Sequence, residues 1–141
     1  SLPALSKADA ADICHQVLMR ILPGAAGAEF APFAAGLTRM QRLLGQHFAP
    51  AQQGRAFASA AVGRLVDWIG THTPAGTGQS SWGPTGFAVL PSAEAAEAIV
   101  ESARAAGLVD PGLELHTVRA REQGALITAL DPAPFLTAHS A

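Results

Sequence analysis

Apolar side chains recur at helical spacing in the first half of the chain and change to loop and strand spacing in the second. Ile13, Val17 and Ile21 lie four residues apart, with Leu18 and Leu22 beside them, so one face of a helix is apolar. Ser6, followed three residues later by Asp9, supplies its start: a hydroxyl for an orphan backbone N–H and an acid at the positive end. Pro23 and Gly24 are expected to stop it. A second helix is predicted over 29–44 through Phe30, Phe33, Leu37, Met40, Leu43 and Leu44, with Pro32 in its first turn and Gly45 at its end. A third is predicted over about 54–72, with Phe57, Ala61, Leu65, Trp68 and Ile69 inward and Arg55, Arg64 and Asp67 in water.

Gly76, Gly78, Gly83 and Gly86 then cluster around Gln79, Ser80, Ser81, Trp82 and Pro84, which predicts a loop followed by a strand over 87–90. Pro91 and Ser92 open a helix reaching Ala106. Its alanines allow close packing, Glu94, Glu97, Glu101 and Arg104 form the wet face, and Gly107 is the cap. Leu113, Leu115, Thr117 and Arg119 alternate with Glu114, His116 and Val118, and a turn at Gly124 leads to an apolar run over 125–130. Those two runs predict an antiparallel hairpin. The pattern predicts an α+β domain over 1–130, ferredoxin-like, with a four-stranded antiparallel sheet covered by about four helices. Residues 131–141, with Pro132 and Pro134, are expected to be a tail.

Composition narrows the function classes. The 141 residues fit one domain. Charged residues make up 14% and the formal net charge is -2, so no polycationic face exists to displace counterions from a nucleic acid. No stretch is long and apolar enough for a bilayer span and no signal-peptide pattern opens the chain, which predicts a cytoplasmic protein without a membrane partner. Cys14 has no partner for an intramolecular disulfide and lies in an apolar helical pattern, so it is expected to be a small buried hydrophobe. His15, His47, His72, His116 and His139 show no metal-ligand spacing, and no metal site is expected.

The chemistry-bearing stretch is 76–90. Its glycines permit close backbone approach, so the loop can aim N–H groups at an anion, with hydroxyls from Ser80, Ser81 and Thr85. The same glycines also suit a tight hairpin, since neither phosphate-loop pattern is present. Trp82 is either a plug on the body of the domain or a ligand contact. Gln46, His47, Gln52 and Gln53 form a second polar group, either a binding element or an ordinary helix connection. Arg119 and Arg121 stand on one side of the predicted second hairpin, at its rim or against a phosphate or carboxylate.

Residues 78–90, GQSSWGPTGFAVL, resemble the third conserved motif of the GHMP superfamily of small-molecule kinases, in the variant found in β-ribofuranosylaminobenzene 5'-phosphate synthases. Residues 18–54 resemble the C-terminal half of that family through Gln41, Gly45, Phe48, Gln53 and Gly54, and the likeness spans about 18–130. It implies the C-terminal domain of a protein whose N-terminal, phosphate-loop domain lies outside this chain. Such synthases join an aminobenzoate or hydroxybenzoate to phosphoribosyl pyrophosphate, releasing carbon dioxide and pyrophosphate, in tetrahydromethanopterin synthesis. Gln79, Trp82 and Pro84 interrupt the glycine-richer loop of the ATP-using kinases, which favours the synthase branch. The implied phosphate and substrate contacts are Gly78, Gln79, Ser80, Ser81, Trp82, Gly83 and Thr85, with Gln53 and Arg119 as further candidates. No cofactor is expected in this chain, and Mg2+ in the longer protein is left open. The implied partners are a phosphorylated small molecule, the N-terminal domain and, left open, a second copy. A GHMP kinase acting on a small alcohol and a non-catalytic association module are the alternatives.

Overall fold

The computed structural model describes residues 2–80, 83–120 and 123–125. Along them run α1 (Lys7–Gln16), a π-helical turn (Val17–Ile21), α2 (Leu22–Ala26), α3 (Phe30–Phe48) and a 3-10 turn (Ala49–Gln52). Then come α4 (Ala60–His72), β1 (Gly76–Gln79), β2 (Gly86–Val89) and α5 (Ala93–Ala105). The architecture is α+β. β1 and β2 form an antiparallel hairpin with Gly76 opposite Val89 and Gly78 opposite Phe87; α3 lies on β1, α4 on both strands, and α5 on α4.

Ser6 caps α1 as its sequence predicts: its Oγ accepts from the Asp9 N–H at 3.0 Å and donates to Asp9 Oδ2 at 2.6 Å. Pro23 and Gly24 do not stop the helix. The chain widens into the π turn, where the Leu22 N–H reaches back to the Val17 carbonyl. A regular helix would drive the proline ring into the carbonyl four residues earlier, and the wider register relieves that clash. The helical run ends instead at Gly27, with Ala28 left-handed at φ 55 and the Glu29 N–H closing on the Gly24 carbonyl at 2.8 Å. Gly24 serves packing, since a Cβ there would lie 2.8 Å from Phe33 N. Gly36 does the same across the α3 interface, where a Cβ would lie 2.8 Å from Arg20 Cβ.

Cys14 is exposed, not buried, because the side of α1 turned inward carries Gln16. Asp12 joins α1 to α3: its Oδ1 accepts from Gln16 Nε2 at 2.7 Å and its Oδ2 pairs with Arg39 Nη2 at 2.7 Å.

Gly45 does not end α3, which runs on to Phe48, so Gln46 and His47 are helical and not part of a connection. A Cβ at Gly45 would lie 3.0 Å from the Ala56 carbonyl oxygen, so its bareness lets the next turn fold back on the helix. α4 begins at Ala60, later than the predicted 54, with Ser59 as its cap. Gln53 (φ 58) and Gly54 (φ 77) are left-handed and cannot belong to a right-handed helix. Residues 76–79 are strand and not loop, so the glycine-rich stretch is the tight hairpin that its glycines also suit. Residues 113–119, predicted as strand, have no regular secondary structure, although Leu113 and Leu115 pack on the core. The other half of that predicted hairpin, over 126–130, and the tail over 131–141 lie outside the described residues.

The core is Leu65, Ile69, Ile99 and Ala103, with Trp68, Ala88, Leu90 and Leu108 packed against it. Ala103 is wholly enclosed, which shows how the alanine-rich α5 approaches α4 so closely. Glu94, Glu97 and Glu101 face water, Ser92 caps the helix start, and Gly107 at φ 68 turns the chain so that the Leu108 N–H bonds the Ala103 carbonyl at 3.0 Å. Among the described residues no helix is long and apolar enough to cross a membrane.

Two outcomes follow. A methyl at Gly86 would overlap Val62 and approach Val66 Cγ2 to 2.9 Å. Gly86→Ala is expected to cost about 1–3 kcal/mol in urea unfolding, with part recovered when combined with Val62→Ala; strict additivity would contradict the contact. The Gln16 amide, and then the Arg39 guanidinium, hold the Asp12 carboxyl below its ordinary value. The stabilisation this gives is present above the ordinary carboxylate range and is lost as pH falls through the lowered value. Asp12→Asn is therefore expected to make unfolding less sensitive to acid than in the wild type, as read from urea midpoints at neutral and acid pH.

Candidate functional site

Glycine occupies the hairpin positions where helices back onto the strands. A Cβ at Gly76 would lie 3.0 Å from Leu37 Cδ2 and 3.2 Å from Ala34 Cα, and one at Gly78 would overlap the Gln41 side chain. Close backbone approach is thus used here by α3 and α4, within the domain.

An edge strand leaves a row of unpaired N–H and C=O groups that must be covered. On β1 the cover is polar and comes from α3. Thr38 Oγ1 accepts from the Thr77 N–H at 2.9 Å and donates to the Ala75 carbonyl at 3.3 Å. Gln41 Oε1 accepts from the Gln79 N–H at 3.1 Å. The Gln79 side chain then extends the bracing sideways: its Oε1 accepts from the Ala58 N–H at 2.7 Å and its Nε2 donates to Gln52 Oε1 at 2.9 Å. Gln52 is buried and its Nε2 faces the Arg55 and Ala56 carbonyls, each at 3.4 Å. These links fasten three elements together: α3, the 52–58 turn and the end of β1.

Beyond Gln79 the chain turns. The Ser80 N–H bonds the Thr85 carbonyl at 2.9 Å and the Gly83 N–H bonds the Ser80 carbonyl at 3.2 Å, so these two amides are used within the turn. Ser80 and Thr85 are exposed. Of the other candidates, Gly78 is buried in β1 and Gln79 is the bracing residue. Ser81 and Trp82, and with them the choice between plug and ligand contact, lie outside the described residues, as does Arg121. Gln53 is exposed and its Oε1 accepts from Arg55 Nη2 at 2.9 Å. Arg119 is exposed in the irregular 113–120 segment, and no hydrogen bond or ion pair among the described residues ties it to the turn. The arrangement therefore brings Gln79, Ser80, Gly83 and Thr85 into one turn, with Gln53 in the segment that Gln79 anchors.

Sequence reasoning missed Thr38, reached Gln52 only as one of the polar group at 46, 47, 52 and 53, and reached Gln41 only through the family resemblance. A signal for the α3 pair existed: Thr38 and Gln41 are three apart and follow Ala34 and Leu37 on the inward face, and polar groups there need partners. Chemically, the turn offers hydroxyl donors on a rigid base, suited to holding anionic oxygens. Among the described residues no three His, Cys, Asp or Glu side chains gather.

Two helices laid on a glycine-flat hairpin, with a third covering one of them, define an α+β domain whose first strand ends in a turn braced from α3 and the 52–58 segment. Residues 25–108 match the family model described as GHMP kinases C terminal, and the chain belongs to that family. No curated protein and no solved structure matches the chain.

Replacing Thr38 by the near-isosteric valine is expected to leave the Thr77 N–H and the Ala75 carbonyl without their partner. The cost should be about 1–3 kcal/mol, with faster hydrogen exchange at the Thr77 amide. Unchanged exchange there would show that the edge is held by something else.

Proposed function

We propose that this chain is the C-terminal, substrate-facing domain of a β-ribofuranosylaminobenzene 5'-phosphate synthase-like enzyme of the GHMP superfamily, acting in the cytoplasm. In this reading the domain covers 1–130, the β1–β2 hairpin belongs to a larger ferredoxin-like sheet, and the domain meets an N-terminal domain that carries the phosphate loop. The observation that carries the reading is the turn after β1: the segment with the synthase-like residues ends a braced strand and leaves Ser80 and Thr85 open to solvent. A pyrophosphate-bearing substrate is matched by such hydroxyls on a fixed base. Leu18, Met19 and Leu22, at 62%, 64% and 55% exposure, give the domain an apolar face suited to the N-terminal domain or to a second copy.

The second reading, a kinase acting on a small alcohol, is favoured by the family description itself, which names kinases. Turnover of ATP by the full-length protein separates the two. Calorimetry of the full-length protein with phosphoribosyl pyrophosphate tests the first. Ser80→Ala and Thr85→Ala should each weaken binding by about tenfold, the effect of losing a hydrogen bond to a charged group. Unchanged affinity in both variants would remove the turn from binding.

A further inference from the structure

We propose that the cleft at the C-terminal end of α5 binds a small zwitterion with an apolar side chain, of the α-amino acid class. The cleft is built from described residues: Arg104, Val109, Asp110, Pro111 and Leu113 line it, and its volume is about 360 Å³. Ligand cavities typically run from about 300 to 1,000 Å³, so this one suits a molecule the size of a single amino acid and not a nucleotide. The proposal is independent of the turn after β1 and of the synthase reading.

Charge is the first ground. The lining holds one guanidinium and one carboxylate, and the two do not neutralise each other: among the described residues the ion pairs are Arg39 with Asp12 and His116 with Glu114. Among the same residues the Arg104 side chain has no hydrogen-bond partner, so its full fork of N–H donors is open to a ligand. Asp110 Oδ1 accepts from the Gly112 N–H at 3.0 Å, and its Oδ2 is open in the same way. A lone anion in this cleft is repelled by the carboxylate and a lone cation by the guanidinium. A molecule that carries both charges a few bonds apart satisfies both walls at once, its carboxylate bidentate on Arg104 and its ammonium on Asp110.

Support is the second ground. Val109 and Leu113 pack against the core of Leu65, Ile69, Ile99 and Ala103, so the apolar part of the lining is anchored from beneath. An aliphatic side chain laid on it loses water-exposed area between the two charged ends. The backbone fixes the walls. Arg104 stands in the last turn of α5, Gly107 at φ 68 reverses the chain behind it, and the Leu113 N–H on the Asp110 carbonyl at 2.9 Å holds the returning segment. Pro111, with its fixed φ, stiffens that segment further. A site held in this way has little left to order when a ligand enters.

The test is an amide NMR titration of the full-length protein with L-leucine and with two analogues that each lack one charge, 4-methylpentanoate and 3-methylbutylamine, on wild type, Arg104→Gln and Asp110→Asn. Both positions are exposed, and Asp110→Asn keeps an oxygen for the Gly112 N–H, so the variants retain the fold of the cleft. Leucine is expected to give saturable shifts at Val109, Gly112 and Leu113. Each analogue on the wild type, and leucine on each variant, should bind about tenfold or more weakly, the effect of losing one charged hydrogen-bond partner. The absence of saturable leucine shifts at these amides overturns the proposal, as does unchanged leucine affinity in either variant. An analogue that binds as tightly as leucine overturns the zwitterionic class.

Discussion

The hydrogen bonds from Thr38 and Gln41 to the outer edge of β1 are the constraint on which the rest of the fold depends. A two-stranded hairpin is marginal in water, and its bare edge would remain open to other chains. Here α3 lies close enough to satisfy that edge with side chains, and it can do so only because Gly76 and Gly78 place nothing between helix and strand. On the other strand Gly86 admits Val62 and Val66 of α4 in the same way. Helix contact, edge satisfaction and glycine content are therefore one solution to one problem.

That solution changes the meaning of the glycine cluster. A glycine-rich stretch invites the idea of a backbone cradle for phosphate, yet the amides of Thr77, Gln79, Ser80 and Gly83 are all bonded inside the domain. Among the described residues of the turn, the Ser80 and Thr85 side chains face water. The amide chain Gln41–Gln79–Gln52 fixes the base on which this turn stands. Inside a domain, a satisfied polar network of this kind fixes a unique arrangement.

Much of this was legible in the residues. The Ser6 and Ser92 caps, the inward stripe of α3 from Phe33 to Leu43, the wet face of Glu94, Glu97 and Glu101 and the Gly107 stop all have local causes, and all appear in the structure. The failures share a cause of the opposite kind. Pro23, Gly24 and Gly45 read as stops because their local preference is to break helices, but Gly24 and Gly45 meet chain segments that come close in space, and a π turn absorbs the proline. Cys14 read as buried because its neighbours are apolar, whereas tertiary contact selects the face bearing Gln16. In the site, sequence could name Gln79 and a glutamine pair at 52 and 53, but only the fold decides that Gln52 is the one that meets Gln79.

The most direct measurement is an amide chemical-shift map of the full-length protein titrated with inorganic pyrophosphate. The account predicts saturable shifts confined to the amides around Ser80, Gly83 and Thr85, with Thr77 and Gln79 keeping their protection from exchange throughout. Shifts gathered elsewhere on the domain, or release of the Thr77 and Gln79 amides to bind the ligand themselves, would contradict it.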